Sequence, residues 1–595
     1  MGYKIHVLDR KYKKWDIYNS ATMELSTLDI DPVQNKLFNH DIFSISGETV
    51  NILHSVIREV PSIQGVLVLN KNKTFGRHSK NKYFYRCIPD DRRLPEFLIP
   101  YKLKIGFIKK MTNKYIIFKY QNWNNKHPVG TIIQVIGSVS NLSCFYEYQL
   151  YCKSLYASIQ QFTKDTMKAL RDKSSEAYID IIQKTYKLEN RQKWNVYSID
   201  PENCRDLDDA FSIKKTKNGI LLSVYISNVS LWLDIMNLWG SFSQRIATIY
   251  LPDRKRPMLP TILSDALCSL LEKNIRFAFT LDIFVKDNII SSVEFKNTSV
   301  VLKKNFTYNS KNLMKCEDYK LLVKTIRKMN ENPKQQYITQ LNDSHDVIAY
   351  IMILMNKISG KKLEEFGVGI FRSTQLNFPE QKDLTKRLPK HVLKFVKGWN
   401  SSGGRYVGYD GYRNHDLLKI NSYVHITSPI RRLVDLLNIL ELQDKLNLLK
   451  YNEKTLNFYN EWYSKLNYIN TTMRSIRKVQ NNCALLNKCI SENNPIYDGF
   501  LFDKMERNDG LFQYMVYLPD IKMVNRLVTS TNYKNYSKHS FKVYIFMDED
   551  RLKQKIRIDI ISSYNICPEK GGEKHLENVI KKQKRNKEGA AGLVI

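Results

Sequence analysis

Residues 198–212 read SIDPENCRDLDDAFS, which sets Asp200, Asp206, Asp208 and Asp209 between two apolar stretches, VYSI before and AFSI after. Apolar flanks of this kind read as buried strands, so the acids are set against buried strands rather than in a polar loop. Four carboxylates so close repel one another, and they stay ionised together only beside a cation. Hard oxygen ligands suit Mg²⁺, with Mn²⁺ as the alternative. Two such ions can activate a water and stabilise the leaving oxygen of a phosphodiester. Taken alone, an Asp-x-Asp-Asp string is more often a solvated acidic turn, and the apolar flanks are what favour a site.

The acids are an exception in a basic chain. Over 595 residues, 93 Lys and Arg stand against 59 Asp and Glu, a formal net charge of +34. Such a surplus favours an anionic partner, nucleic acid first. Usage rich in Lys, Asn and Ile is also that of an AT-rich genome, cellular or viral, so part of the charge reflects codon bias. The length calls for several domains, and 43% hydrophobic residues supply real cores. No apolar run is long enough for a membrane span. The opening MGYKIHVLDRKYKKWD has no apolar centre of a signal peptide, and His6 stands where a myristoylation signal has Ser or Thr. Nine scattered cysteines without a Cys-x-x-Cys pair point to reduced thiols in an intracellular protein, cytoplasmic or nuclear, without structural zinc.

Turn residues divide the chain. Short β-branched and aromatic runs, Ile63–Leu69, Lys114–Trp123 and Gly130–Val139, predict small barrels over the first 150 or so residues. Helical periodicity is expected from Leu155 to Glu189, in Val347–Leu363, in Ile430–Leu449 and from Glu453 to Ile490. From Tyr497 short strands return (GFLF, FQYMVYL, SFKVYIFM, KIRIDII). The expected fold is multidomain α/β: a mixed α/β catalytic domain flanked by small OB-like β-barrels. Its boundaries are a first barrel at 1–62, a second at 63–153, a catalytic region at 154–490, a C-terminal barrel at 491–566 and a basic tail at 567–595. In the last barrel Phe512, Tyr514 and Tyr517 are candidates for base stacking, about half of them facing the core. The tail run Lys581–Lys587 reads as a solvated, disordered arm, with a nuclear signal or RNA-binding arm as alternatives.

The motifs together resemble the RNase II / RNase R superfamily with its RNB catalytic domain. The acidic segment looks like the first motif of that family, with all four acids at its spacing. LSVYISNVSLWL (Leu222–Leu233) resembles the next core strand, and IYLPDRKRPMLPTILSDALCSLLEKNIRFAF (Ile249–Phe279) resembles the YLP, MLP and LCSL stretch. Phe306-Thr-Tyr308 and HDLLKINSYVHITSPIRRLVDLL (His415–Leu437) follow in order. Upstream, residues 63–77, Cys87–Lys102 and Asn122–Ser140 resemble the second cold-shock-like barrel of the eukaryotic exosome-associated branch, and His40–Leu53 the end of the first. A PIN endonuclease domain, as some relatives carry for exosome docking, is not expected.

The resemblance implies roles. Asp200, Asp206 and Asp209 would ligate Mg²⁺, and Asp208 would complete the site and orient the attacking water. Arg431 would contact the scissile phosphate through its planar fork; the plain reading of Arg431 and Arg432 is a solvated helix start. Tyr308 would sit near the terminal nucleotides and Tyr250 would stack on a base, whereas ordinary packing accounts for either tyrosine taken singly. Departures from the family pattern are Ala349 and Tyr350 for paired glutamates, Tyr225 for a histidine, Asn228 for an aspartate, Ile439-Leu440 for a His-Arg pair, and no acid over Met473–Val479. One lost glutamate helps hold the 3′ nucleotide, so the grip on the RNA end is expected to be weaker.

The implied function is a Mg²⁺-dependent exoribonuclease that degrades single-stranded RNA from the 3′ end to nucleoside 5′-monophosphates. The alternative is a catalytically weak or inactive RNA-binding relative, and endonuclease activity is a third outcome of relaxed end recognition.

Overall fold

Period-two alternation of apolar residues makes three large sheets in the first 310 residues, and the third carries the four acids on two strand ends and the loop between them. In the computed structural model, residues 2–70, 73–79, 81–103, 111–333, 335–338, 340–376, 388–492 and 495–561 are described. They form two compact units: Met1–Lys488 with Met547–Lys555, and Cys489–Phe546 with the chain from Ile556. The expected tail at 567–595 lies outside the described residues.

The first sheet has four strands in the order Trp15–Asn19, Gly2–Val7, Ile42–Ser46, Thr49–His54, and the second has six between Ile63 and Ser138. One apolar core serves both. Ile5, Val7 and Phe43 from the first join Leu67, Tyr85 and Phe118 from the second, and Phe38 stacks on Phe97 at 5.9 Å. Asp41 is buried in this region, where Ser55 and Arg58 donate to it at 2.5 and 2.7 Å.

The third sheet has seven strands, ordered Glu189–Asn190, Ile289–Val301, Ile275–Lys286, Gly219–Ser227, Asp209–Thr216, Tyr197–Asp200, Lys304–Thr307. Its middle is antiparallel, and the outermost pair at each end is parallel. Phe211, Ile213, Leu222, Val224, Leu281 and Ile283 turn one face toward the helices Glu317–Glu331 and Ser344–Glu365. Ala210, Tyr225, Ala278 and Val300 belong to a second cluster with Leu270 and Leu302. In the helix Ser344–Glu365, Asp343 caps the start by accepting from the Asp346 N–H at 3.0 Å. Gly360 lets that helix approach the chain at Ser422, because a Cβ there would lie 2.7 Å from the Ser422 carbonyl oxygen.

Helix ends differ from the periodicity for local reasons. The expected helix 155–189 is two, Gln160–Asp172 and Ser175–Thr185, preceded by Leu142–Cys152. Ser174 caps the second by accepting from Ala177. The expected helix 430–449 runs only from Leu433 to Lys445, because residues 428–432 form a turn that docks elsewhere and Asn447 is left-handed. The expected single helix 453–490 breaks into Glu453–Ser464 and Leu466–Ser491. There Ser464 donates its hydroxyl to the Glu461 carbonyl, a local bond that competes with the helical ladder.

The second unit carries a five-stranded sheet, ordered Met523–Thr529, Phe512–Leu518, Ile496–Glu506, Lys538–Asp548, Lys553–Ile561. The multidomain α/β class with OB-like barrels is therefore observed. Tyr514 is not available for stacking: it is buried, and its hydroxyl donates to the Tyr533 carbonyl at 2.9 Å. The cysteines among the described residues are free, and no helix there is long and apolar enough to cross a membrane.

Candidate active site

The acids converge because strand ends converge. Asp200 closes the strand Tyr197–Asp200 and Asp209 opens the strand Asp209–Thr216, with the loop 201–208 between them. Two contacts hold the end of that loop: Ser269 Oγ donates to the Arg205 carbonyl at 2.6 Å, and Leu207 N–H donates back to Ser269 Oγ at 3.1 Å. The Asp208 carbonyl accepts from Ser227 N–H at 2.8 Å, and Tyr308 N–H donates to the Asp200 carbonyl at 3.1 Å.

Asp208 is buried and fully engaged. One oxygen accepts from the Ile430 N–H at 2.9 Å, and the other accepts from Arg431 Nε at 2.9 Å. Arg431 NH2 donates to Ser428 Oγ at 2.9 Å, while 41% of the side chain stays open to solvent. The turn is strapped in place by Thr248 N–H to the Arg431 carbonyl at 3.0 Å and Leu433 N–H to the Ile246 carbonyl at 2.9 Å. Burial raises the Asp208 carboxyl to about 7 against the pull of Arg431. Burial likewise raises Asp200 to about 6. Asp209 is pushed well above the carboxylate range by burial and by the charges of Asp200 and Asp208.

Asp206 faces other partners. Tyr250 and Lys255 stand opposite each other on a two-stranded ribbon. The Tyr250 hydroxyl donates to Asp206 at 2.7 Å, and Lys255 Nζ donates to Asp206 at 2.9 Å and to Asp265 at 2.8 Å. Burial alone would raise the Asp206 carboxyl; the hydroxyl and the ammonium outweigh it and bring it below its usual value.

These residues fit a divalent cation in part. Asp200 Oδ2 is buried without a hydrogen-bond partner, and burial raises three of the four acids, the condition a cation would relieve. Yet no group of three ligating side chains is preformed among the described residues: both Asp208 oxygens are taken by Ile430 N–H and Arg431, and Asp206 is paired with Lys255. Asp200, Asp208 and Asp209 would hold the ion, and Asp206 would join them on release from Lys255.

Of the expected aromatic contacts, Tyr250 is 40% exposed with its hydroxyl anchored, and Tyr308 stacks on His345 with ring centroids 3.6 Å apart. Arg432 is not a solvated helix start: it donates to Asp435 at 2.8 Å and lies beside His425. Ala349 is exposed, and Tyr350 is buried with its hydroxyl donating to the Gln335 carbonyl at 3.1 Å. Asn228 sits in a buried amide network, donating to Asn297 at 3.0 Å and Gln443 at 2.9 Å. Sequence reasoning missed Lys255 and Asp265; the turn Leu251–Arg254 between Tyr250 and Lys255 was the readable signal for the ribbon.

Residues 188–331 and 312–447 match the RNB domain, and residues 84–146 match the Dis3-like cold-shock domain 2. The chain is similar to Ribonuclease R of Buchnera aphidicola, 26% identical over 411 residues that cover 55% of this chain and 54% of that protein. The chain spans from about a quarter to about half the length of the curated relatives it matches, 25% and 54% in two of them. Its fold is similar to that of Mycoplasma genitalium RNase R in complex with ribose-methylated single-stranded RNA, at TM-score 0.66 and 15% identity, covering 94% of this chain and 100% of that one. Yeast Ssd1, a pseudonuclease, superposes at TM-score 0.53 and 13% identity, covering 91% and 81%.

Proposed function

This chain carries an RNB domain behind a Dis3-like cold-shock domain, and from that premise we propose that it is a divalent-metal-dependent exoribonuclease acting on single-stranded RNA. The observation that carries this reading is the docking of Arg431 on Asp208 beside the orphaned oxygen of Asp200. An exposed guanidinium edge next to crowded carboxylates is what a phosphodiester needs on its two sides. Arg431 binds the scissile phosphate and opposes the charge that grows on its oxygens. Asp208 fixes the plane of that guanidinium through Nε. Tyr250, tethered at its hydroxyl, offers a ring of set orientation on which a base can stack, and Tyr308 serves the terminal nucleotide from its stack with His345. A Mg²⁺ or Mn²⁺ ion held by the aspartates would supply an ionised water and charge neutralisation. Water adds to the last phosphate opposite its 3′ oxygen, the P–O3′ bond breaks, and the terminal nucleotide leaves as a nucleoside 5′-monophosphate while the shortened strand keeps a 3′-hydroxyl.

A second reading is favoured by the Lys255–Asp206 pair, which puts a protein cation where a ligand is needed. It makes the chain a weak or inactive relative that binds RNA without cutting it, a pseudonuclease as yeast Ssd1 is. One assay separates the two. Purified chain and its Asp208→Asn variant are incubated with 5′-labelled single-stranded RNA, with Mg²⁺ and with chelator. Stepwise shortening of the labelled strand from its 3′ end to a short 5′ remnant, in the wild type with Mg²⁺ alone, is expected. Intact RNA that still shifts on a gel would decide for the second reading, and internal fragments for endonucleolytic cutting.

A further inference from the structure

The turn that docks Arg431 leaves its neighbour in different company. Arg432 NH2 donates to Asp435 Oδ1 at 2.8 Å, and NH1 lies 3.3 Å from His425 Nδ1, which is 2.8 Å from the Tyr406 hydroxyl. Arg432 Nε is buried and meets no acceptor. The face of Tyr406 carries a second guanidinium, Arg372, with Cζ 5.0 Å from the ring centroid. Arg372 is held from behind: its backbone N–H donates to the Tyr423 carbonyl at 2.7 Å, and a Cβ on Gly404 would meet its NH2 at 2.6 Å. Asn470 clamps the backbone of Tyr406 with bonds of 2.7 and 2.8 Å. Further along the same helix stands exposed Arg477.

The charges here do not balance. Of the three neighbouring guanidiniums, only Arg432 meets a carboxylate among the described residues, Asp435, whose Oδ1 also accepts from Ser428 N–H at 2.8 Å. No carboxylate among the described residues pairs with Arg372, whose pKa falls through burial and then through the charges of Arg477 and Arg432. His425 and His415, which meets the Tyr423 ring edge-on, add no further positive charge, because burial lowers both, His415 to about 4. A largely covered guanidinium without an anion is costly, and its planar fork matches phosphate. Arg372 and His425 are half-buried and the Arg432 side chain is 22% exposed, so a ligand can reach them.

We infer that Arg372, Arg432 and Arg477 form a second phosphate subsite, which takes a backbone phosphate of the same single strand whose scissile phosphate meets Arg431. This rests on the RNA-degrading reading and deepens it. A free nucleoside monophosphate shares the chemistry, so the test separates the two sources.

In chelator, where nothing is cut, a labelled short single strand is titrated into wild type, Arg372→Met and Arg477→Gln at several salt concentrations, and uridine 5′-monophosphate is titrated in parallel. Arg477 is exposed, so its variant reports binding without disturbing the fold, and Arg372→Lys restores charge without the fork. Expected are weakening of strand binding by about tenfold for Arg372→Met and about threefold for Arg477→Gln, with partial rescue by lysine. The salt slope should fall by about 0.7 for each lost contact. Monophosphate affinity should stay unchanged. Loss of monophosphate affinity with unchanged strand binding would overturn the assignment to the strand. Equal strand affinity and salt slope in all proteins would overturn the subsite alone, whereas a wild type that binds no strand defeats the underlying reading as well.

Discussion

Arg431 donates through Nε to Asp208, 223 residues earlier in the chain, at 2.9 Å. The bond joins the acidic loop to the Ser428–Arg432 turn, and it points the rest of the guanidinium at whatever the carboxylates hold. Lysine cannot reproduce it, since one ammonium cannot serve Asp208, Ser428 and a phosphate in one plane. Arg431→Lys should therefore lower single-turnover RNA cleavage by about a hundredfold, the scale of losing one preorganised donor. Cleavage within a few-fold of wild type would remove Arg431 from the reaction.

Lys255 competes with any cation for Asp206. Lys255→Met keeps the stem and removes the charge. Calorimetric titration with Mn²⁺ should show tighter binding by about tenfold, from relief of one charge-assisted bond. Unchanged or weaker Mn²⁺ binding means that Lys255 supports the site instead of competing for it.

The site should take up its ion with a pH dependence of known sign. Asp200 and Asp208 titrate near 6 and 7, raised above the ordinary carboxylate value by burial. Below those values they are protonated in the folded chain and must lose protons to bind a cation; above them they are already ionised. Saturating Mg²⁺ should raise the melting temperature at pH 8 and progressively less as pH falls through 7 to 5.5. A shift independent of pH would mean that other groups hold the ion.

Arg191 is a structural counterpart. It is buried, and it donates to Asp282 twice, at 2.7 and 2.5 Å, on the central sheet. Arg191→Met leaves Asp282 with Ser223 at 2.6 Å and Lys296 at 3.5 Å. Removing one partner of such a pair typically costs about 3–5 kcal/mol. Urea denaturation of the variant checks the loss, and a change below about 1 kcal/mol would show that the network relaxes around the gap.

Much of this was legible from residues alone. The strand runs around the acids alternate with period two, so the flanks VYSI and AFSI became the two strands whose ends carry Asp200 and Asp209. The pairing of Asp206 with Lys255 was not legible: the turn Leu251–Arg254 marks a ribbon, but nothing in the pattern says that the ribbon faces Asp206. Nor was the break at Lys465, since a serine that bonds back to its own helix leaves the apolar pattern intact. The Arg372 pocket escaped for another reason: its members come from residues 372, 406, 432 and 477, and nothing local links them. Tyr514 was offered as a stacking surface from its type, and its face was decided only by the strand register that turns it inward.

Asp200 ends one strand and Tyr308 directly follows its parallel neighbour, where the last of the rungs pairs Asp200 with Thr307. Neither can slide along its strand without breaking those rungs, and the Tyr308 N–H bond to the Asp200 carbonyl closes the ladder. Blade and backstop are thus one rigid piece of sheet. In the proposed reaction, the advance by one nucleotide after each cut is left to the nucleic acid, which must thread past a stationary frame instead of being carried by a moving one.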